Sequence, residues 1–376
     1  MHIVIVPDKF KGSLSAWEAG EAIRLGLKNS GSLHTIQVVP LADGGEGTAA
    51  LLTAYSNGKT ISLQVHDPLF RPIQSSYGIS KDGNTAFIEM AMASGLVLLQ
   101  PFERNPLQTS TVGTGDLIHD ALDRGVKKII LGVGGSATND AGMGAAEALG
   151  MEFYTSSGER LKPIGENLVK IAFVRNDKIH YRLKEIELTI LCDVRNPLEG
   201  PQGAAHVFAR QKGADDAMIK ALDQGLRNFK DAVKRNLNRK VDFPGAGAAG
   251  GLPAGLMALA DVTVKSGIEY MIAFTGLEAL IREADVVITG EGRIDSQTLS
   301  GKVVKGVADL AQKYHKPVIA FAGQSLLNEE DARALGLRNI ITLTGPDVSE
   351  EEAIKSAFSI LQMRTERTLP SILSAV

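Results

Sequence analysis

The chain has 376 residues, 44% hydrophobic and 22% charged, a net charge of −3 and one cysteine. This composition excludes a disordered chain and a disulfide scaffold, and no run approaches the roughly 20 apolar residues of a membrane helix. Mild acidity with dispersed basic residues excludes nucleic acid as the main partner, and the lone Cys192 fits a reducing cytoplasm.

The length exceeds what one core usually fills and predicts two domains. At the N-terminus "HIVIVP" is a short apolar strand, and Ser15 with Glu18 has the spacing of a capping box that opens a helix to about Lys28. "HTIQVVPLA" is a second strand and Glu46 to Tyr55 a second helix. Three strands follow in succession, "SLQVHDP", "QSSYGIS" and "TAFIEMA", the last two joined at Asp82-Gly83, a strong hairpin signal. Next come a helix after "GTGD", the strand "KKIILGV", a helix to Leu149 and the strand "LTILCDV". One long helix then carries Met218, Leu222, Leu226, Phe229, Val233 and Leu237 on one face. "PGAGAAGGLPAGL" opens a further helix. "ADVVITG", a helix from Lys302 to Tyr314, "KPVIAFAG", "LRNIITLTG" and a last helix through Leu361, capped by Ser349 with Glu352, complete the chain.

Short apolar strands alternating with helices at the two ends predict a five-stranded parallel sheet in the order 2-1-3-4-5, covered on both faces. Antiparallel hairpins do not belong inside such an array. Residues 62–273 are therefore read as an inserted second α/β domain, and residues 1–61 with 274–376 as the discontinuous outer domain.

Ligands of such sheets gather at the carboxyl ends of the strands. There the outer domain delivers Asp8, Lys9, Lys11 and Ser13, then Asp43 and Glu46, then Glu291, Arg293 and Asp295. The insertion delivers Gly134, Gly135, Ser136, Asn139 and Asp140 in "GGSATND", then Asp193, Arg195 and Asn196. Singly, each is more simply a cap or a turn residue; together they exceed what caps require, because caps need neither lysines and arginines nor surplus acids. Carboxylates mixed with basic residues and glycine turns suit a magnesium–nucleotide site. Asp43, Glu46 and Asp140 are the candidate Mg2+ ligands. Asp8, Lys11, Ser13, Gly134, Gly135, Ser136, Asn139, Arg195, Glu291, Arg293 and Lys302 are candidates for phosphate or substrate contact. Asp193 and Asp295, each with an arginine two residues away, are the candidate general bases.

Competing motifs are weaker. "GVGGSA" from Gly132 and "GAGAAG" from Gly245 fit a dinucleotide fingerprint and leave a nucleotide-dependent oxidoreductase as an alternative. The first lacks a convincing acid about 20 residues on, and the second lacks a preceding apolar strand. The "GAGAAG" stretch reads equally well as close packing through small residues. A protein that binds a hydroxy acid without catalysis is the other alternative. The sequence has no Walker A loop, no nucleophile elbow and no zinc-ligand spacing among its seven histidines, and Cys192 reads as a small apolar residue.

"PDKFKGSLSA", "ADGGEGT", "GTGDLI", "GGSATNDAG", "CDVRNPL", "FARQKGA", "PGAGAAGG" and "VVITGEGRIDSQTLSGK" together resemble the type 1 family of bacterial glycerate kinases, in the right order from Ile3 to beyond Gly323. One departure is Lys9, where the family more usually has Ser. The resemblance implies ATP-dependent phosphorylation of D-glycerate with Mg2+, at the 2-hydroxyl in preference to the 3-hydroxyl. It also implies a flavodoxin-like domain with an inserted domain similar to restriction endonucleases, and transfer in a cleft between the two. The expected partners are ATP and glycerate in the cytoplasm, with no nucleic acid and no membrane, and assembly into a homo-oligomer is left open.

Overall fold

The computed structural model describes residues 1–31, 33–295, 298, 303–327 and 329–375. The chain divides into two compact units, Met1–Asp43 with Ile268–Val376, and Gly44–Gly267.

The first unit opens with β1 (His2–Pro7) and β2 (Thr35–Val38). Ile3 to Val6 are all fully buried, as a β-branched run must be when helices cover both faces of a parallel sheet. Between the strands runs the helix Ala16–Asn29, closed at its start by the expected capping box. Ser15 Oγ accepts from the Glu18 N–H (3.2 Å) while Glu18 Oε2 accepts from the Ser15 N–H (2.8 Å).

The second unit holds β3 (Lys59–His66), β4 (Pro72–Ile79), β5 (Thr85–Glu89), β6 (Lys128–Gly132), β7 (Glu152–Tyr154), β8 (Phe173–Arg175), β9 (Glu187–Leu191) and β10 (Val262–Lys265). Its main sheet has the order β10-β9-β6-β5-β4-β3. β3, β4 and β5 are antiparallel neighbours, whereas β5, β6, β9 and β10 run parallel, so the sheet is mixed. β7 and β8 form a separate pair. The long helix Asp216–Leu237 starts on Asp215, whose carboxylate accepts from the Met218 N–H at 2.8 Å, and it buries Leu222, Leu226, Phe229 and Val233.

The chain then returns to the first unit for β11 (Val286–Ile294), β12 (Val318–Ser325) and β13 (Leu337–Thr342). The sheet order β13-β12-β11-β1-β2, parallel throughout, is the expected 2-1-3-4-5. Among the described residues no helix is long and apolar enough to cross a membrane.

Three expectations are corrected. The helix read over 46–55 spans Thr48–Tyr55 and belongs to the second unit, because the buried Glu89 of β5 takes the Ala49 N–H (2.7 Å) at its start. The units consequently divide at Asp43/Gly44 and Gly267/Ile268 rather than at 61/62 and 273/274. The last helix is two, Glu350–Lys355 and Ala357–Leu373, interrupted at Ser356.

Candidate active site

Three neighbouring strands of the first unit deliver acids to one edge of the sheet. β1 runs into Asp8, whose N–H donates to Gly290 O of β11 (2.8 Å), which sets Asp8 level with Glu291. Beyond β2 the chain stays bonded to β1, Val39 N to Ile5 O (2.8 Å) and Leu41 N to Pro7 O (3.0 Å), and this brings Asp43 to the same edge. Asp8 and Glu291 are buried and Asp43 is half-buried. Burial pushes the Asp8 carboxyl up to about 7; the negative charges of Asp43 and Glu291 add to the rise, and the N–H and ammonium of Lys9 oppose it. The Lys9 N–H donates to Asp8 Oδ1 at 2.7 Å, and Glu291 Oε1 accepts from the Thr298 hydroxyl at 2.6 Å.

After Asp8 the chain turns tightly over Phe10–Leu14, and the N–H and hydroxyl of Ser13 both donate to Phe10 O (2.9 and 3.0 Å). Ser13 is thus engaged within its own turn, while Lys11 is exposed. β11 passes against this turn at Gly292, where an added β-carbon would stand 2.9 Å from the Lys11 nitrogen; only glycine allows that approach. Arg293 is exposed and its Nε pairs with Asp295 Oδ2 at 3.1 Å. Lys302 lies outside the described residues.

In the second unit, β6 ends at Gly132, where a β-carbon would meet Gly44 O at 2.6 Å, so the "GGEG" turn lies against the glycine loop. Glu46 on that turn is exposed. The loop itself has two parts. Gly134, Gly135 and Ser136 are half-buried or exposed, with Gly135 at φ 76°, whereas Ala137 to Gly142 are buried. Asp140, expected as a magnesium ligand, is wholly enclosed in protein and accepts four hydrogen bonds. They come from Thr111 N and Oγ1 (both 2.8 Å) and from the N–H groups of Gly142 and Gly144 (both 3.1 Å). The carboxylate therefore staples the loop to the start of the helix Val112–Asp123 and leaves no face for a metal. Asn139, beside it, is buried, and among the described residues neither its Oδ1 nor its Nδ2 has a hydrogen-bond partner. Beyond β9, Asp193 is exposed; its Oδ1 accepts from the Ser266 hydroxyl (2.7 Å) and the Gly267 N–H (3.0 Å), at the start of the helix Gly267–Thr275. Arg195 is exposed.

Neither glycine fingerprint has the geometry of a dinucleotide site. The helix after "GVGGSA" begins only at Met143, whereas the fingerprint needs it to open on the glycines. "GAGAAG" is a packing surface: a β-carbon on Gly250 would stand 2.0 Å from Thr138 O. Among the described residues one group of possible metal ligands converges within 4.8 Å, His119, Asp123 and His180. His180 Nδ1 accepts from the Arg182 N–H (3.3 Å), so Nε2 carries the proton and donates it to Asp123 Oδ1 (3.1 Å); that tautomer has no nitrogen lone pair left for a metal.

The glycerate kinase family model matches residues 3–373. The chain belongs to the glycerate kinase family. A glycerate kinase of Bacillus cereus is 44% identical over 364 residues, 96% of each chain, and a glycerate 2-kinase of Escherichia coli is 42% identical over 375 residues, 100% of this chain and 98% of that one. A crystal structure from Salmonella typhimurium LT2, whose assignment as glycerate kinase 2 is provisional, superposes with a TM-score of 0.87 at 41% identity and covers 100% of this chain and 99% of that one.

Three residues of this family member escaped the sequence reading. Glu89 falls in "TAFIEMA", which the sequence reads only as a strand. Thr111 sits in the run "TSTVGTGD", where hydroxyls before a helix are a legible cap signal. Lys212 lies in "FARQKGA", one of the blocks that carry the family resemblance, but nothing there signals burial, since a lysine in that run reads as solvated. It is buried instead, with Nζ donating to Thr138 O at 2.7 Å. Burial pulls this ammonium down to about 7, and the negative charge of Asp140 opposes the fall.

Proposed function

We propose that the chain is an ATP-dependent kinase that phosphorylates D-glycerate, at the 2-hydroxyl in preference to the 3-hydroxyl. The observation that carries this reading is full-length kinship with proteins named glycerate kinase; the name of the Escherichia coli relative supports the 2-position. The reading entails a cytoplasmic enzyme drawing on the ATP pool. It also takes the first unit, from its strand order, as flavodoxin-like, and the second, from its mixed sheet, as similar to restriction endonucleases.

Roles follow from exposure and charge. Asp8, Asp43 and Glu291 fit Mg2+: they are carboxylates at three adjacent strand ends, crowded enough that their repulsion helps to hold a proton on Asp8. The ion supplies positive charge to the phosphate oxygens. Asp43 is retained from the expected ligand set, and the exposed Glu46 and the enclosed Asp140 leave it. The open N–H groups and hydroxyl of Gly134, Gly135 and Ser136 meet phosphate or substrate oxygens, and Lys11, Arg195 and Arg293 neutralise anionic charge. Lys302 is retained as a phosphate contact on its sequence position alone. Asp193 and Asp295 remain the candidates for the proton of the attacking hydroxyl, with Arg293 favouring the ionised form of Asp295. In phosphoryl transfer most of the catalysis lies in positioning and charge, so the base contributes less than the clamps.

The test is incubation with ATP, Mg2+ and D-glycerate, with phosphorus NMR of the product. The expected result is 2-phosphoglycerate. ATP-independent glycerate binding without turnover sinks the reading.

A further inference from the structure

We propose that Lys212 is a positioning residue of the kinase reaction: its ammonium, enclosed behind the glycine loop, fixes the Thr138 carbonyl and so sets the open segment Gly134–Ser136. This inference rests on the assignment of that segment to substrate or phosphate oxygens.

The argument starts from cost. An ammonium without exposed surface is expensive to bury and persists only where it has a strong partner. Lys212 has Thr138 O at 2.7 Å and the Asp140 charge close enough to oppose the loss of its proton. Both partners lie in one stretch, Thr138 to Asp140. The residues flanking that stretch are tied as well: Ala137 N donates to Ser94 O (2.9 Å), Ala137 O accepts from the Thr109 hydroxyl (3.0 Å), and Ala141 N donates to Gly250 O (2.9 Å). Immediately before it, Gly135 O accepts from Leu96 N at 2.8 Å, and there the enclosure ends. The loop is thus anchored on its buried side, and its exposed segment Gly134–Ser136 is held at Gly135 O. Among the described residues, Lys212 is the cationic anchor on its backbone, reaching it from the short helical turn Arg210–Lys212, distant in sequence. A neutral core would have held the fold more cheaply; a charge directed at a single carbonyl specifies where the loop sits.

The experiment compares full-length wild type, Lys212→Met, Asp140→Asn and Lys212→Met/Asp140→Asn for Tm, for kcat and KM with ATP, Mg2+ and D-glycerate, and for amide exchange over 134–142. Each single change leaves one buried charge without its opposite and is expected to lower Tm by roughly 10 °C. The double variant buries neither charge and is expected to recover most of that shift, so it carries the test if a single variant fails to fold. Its exchange over 134–142 is expected to stay accelerated and its kcat to stay reduced about 100-fold, with the KM for ATP changed less than about threefold. A double variant that regains wild-type exchange and kcat overturns the proposal, because Lys212 is then only a stability element. Accelerated exchange with unchanged kcat overturns it differently: Lys212 holds the loop, but the loop is not where substrate binds.

Discussion

Gly292 lies against the backbone of Lys11 so closely that a β-carbon would stand 2.9 Å from the Lys11 nitrogen and 3.2 Å from the Phe10 Cα. The neighbour is main chain, not a flexible side-chain tip, so the turn itself must move to admit a methyl group. Gly292→Ala is expected to reduce kcat/KM roughly 10- to 100-fold while lowering Tm by only a few degrees, because the strand pairs on either side remain. Steady-state kinetics beside a melting curve check this. Unchanged kinetics would remove the Lys11 turn from the site.

Asp8 makes stability depend on pH in a definite direction. Its folded-state carboxyl titrates at about 7 against 3.8 in the unfolded chain, so the folded state binds the proton more tightly. The associated stability is complete below about pH 4 and is lost as the pH rises through 7. In a chelating buffer, Asp8→Asn is expected to melt higher than wild type at pH 8, by a few kcal/mol at about 1.4 kcal/mol per pH unit, and to match it near pH 4. Added Mg2+ should raise the wild-type Tm at pH 8 and leave the variant unmoved. Equal melting at pH 8 would mean that the crowding of acids is relieved by solvent.

Asn139 carries a buried amide whose oxygen and nitrogen have no hydrogen-bond partner among the described residues, a cost of roughly 1–3 kcal/mol. Asn139→Leu, with the same branching and number of heavy atoms, is expected to hold or raise Tm by about 2 °C while lowering kcat/KM at least tenfold, since such costs persist mainly where function needs the group. A variant with full activity would make the amide a packing accident.

Cys192 is half-buried, and its thiol donates to Val194 O at 3.3 Å. Burial pushes the thiol up to about 11 from 9.0, and Asp193 adds to the rise. With iodoacetamide at pH 8 it should react about 100-fold more slowly in the native protein than after denaturation, because the thiolate is the reacting form. Equal rates would contradict the enclosure.

The first sheet was legible because its central strands, such as Ile3–Val6 of β1, are apolar on both faces, a pattern that helices on either side enforce. The hairpin at Asp82-Gly83 marked the second unit for an equally local reason. The unit boundary was not legible: Ala49 belongs with Glu89, and no pattern near residue 49 announces a buried acid forty residues on. The candidate site was half legible. Strand-end acids such as Asp8 and Glu291 follow from topology, but whether an acid faces solvent or is enclosed, as Asp140 is, depends on donors at Thr111 and Gly144 that periodicity does not register. Lys212 shows the limit, since its burial is decided by elements far away in sequence.

The parallel pairing of β1 with β11 has a consequence for biosynthesis. Ile3 pairs with Val286, so the strand made first waits for one made far later in the chain. At roughly 5–20 residues per second the ribosome leaves that apolar strand with only β2 beside it for about 15–60 s. The second unit is continuous and holds every strand of its own sheet, so it can fold during that interval. A nascent chain stalled before Val286 should accordingly show a protease-resistant fragment spanning residues 44–267, while "HIVIV" stays accessible to chaperones.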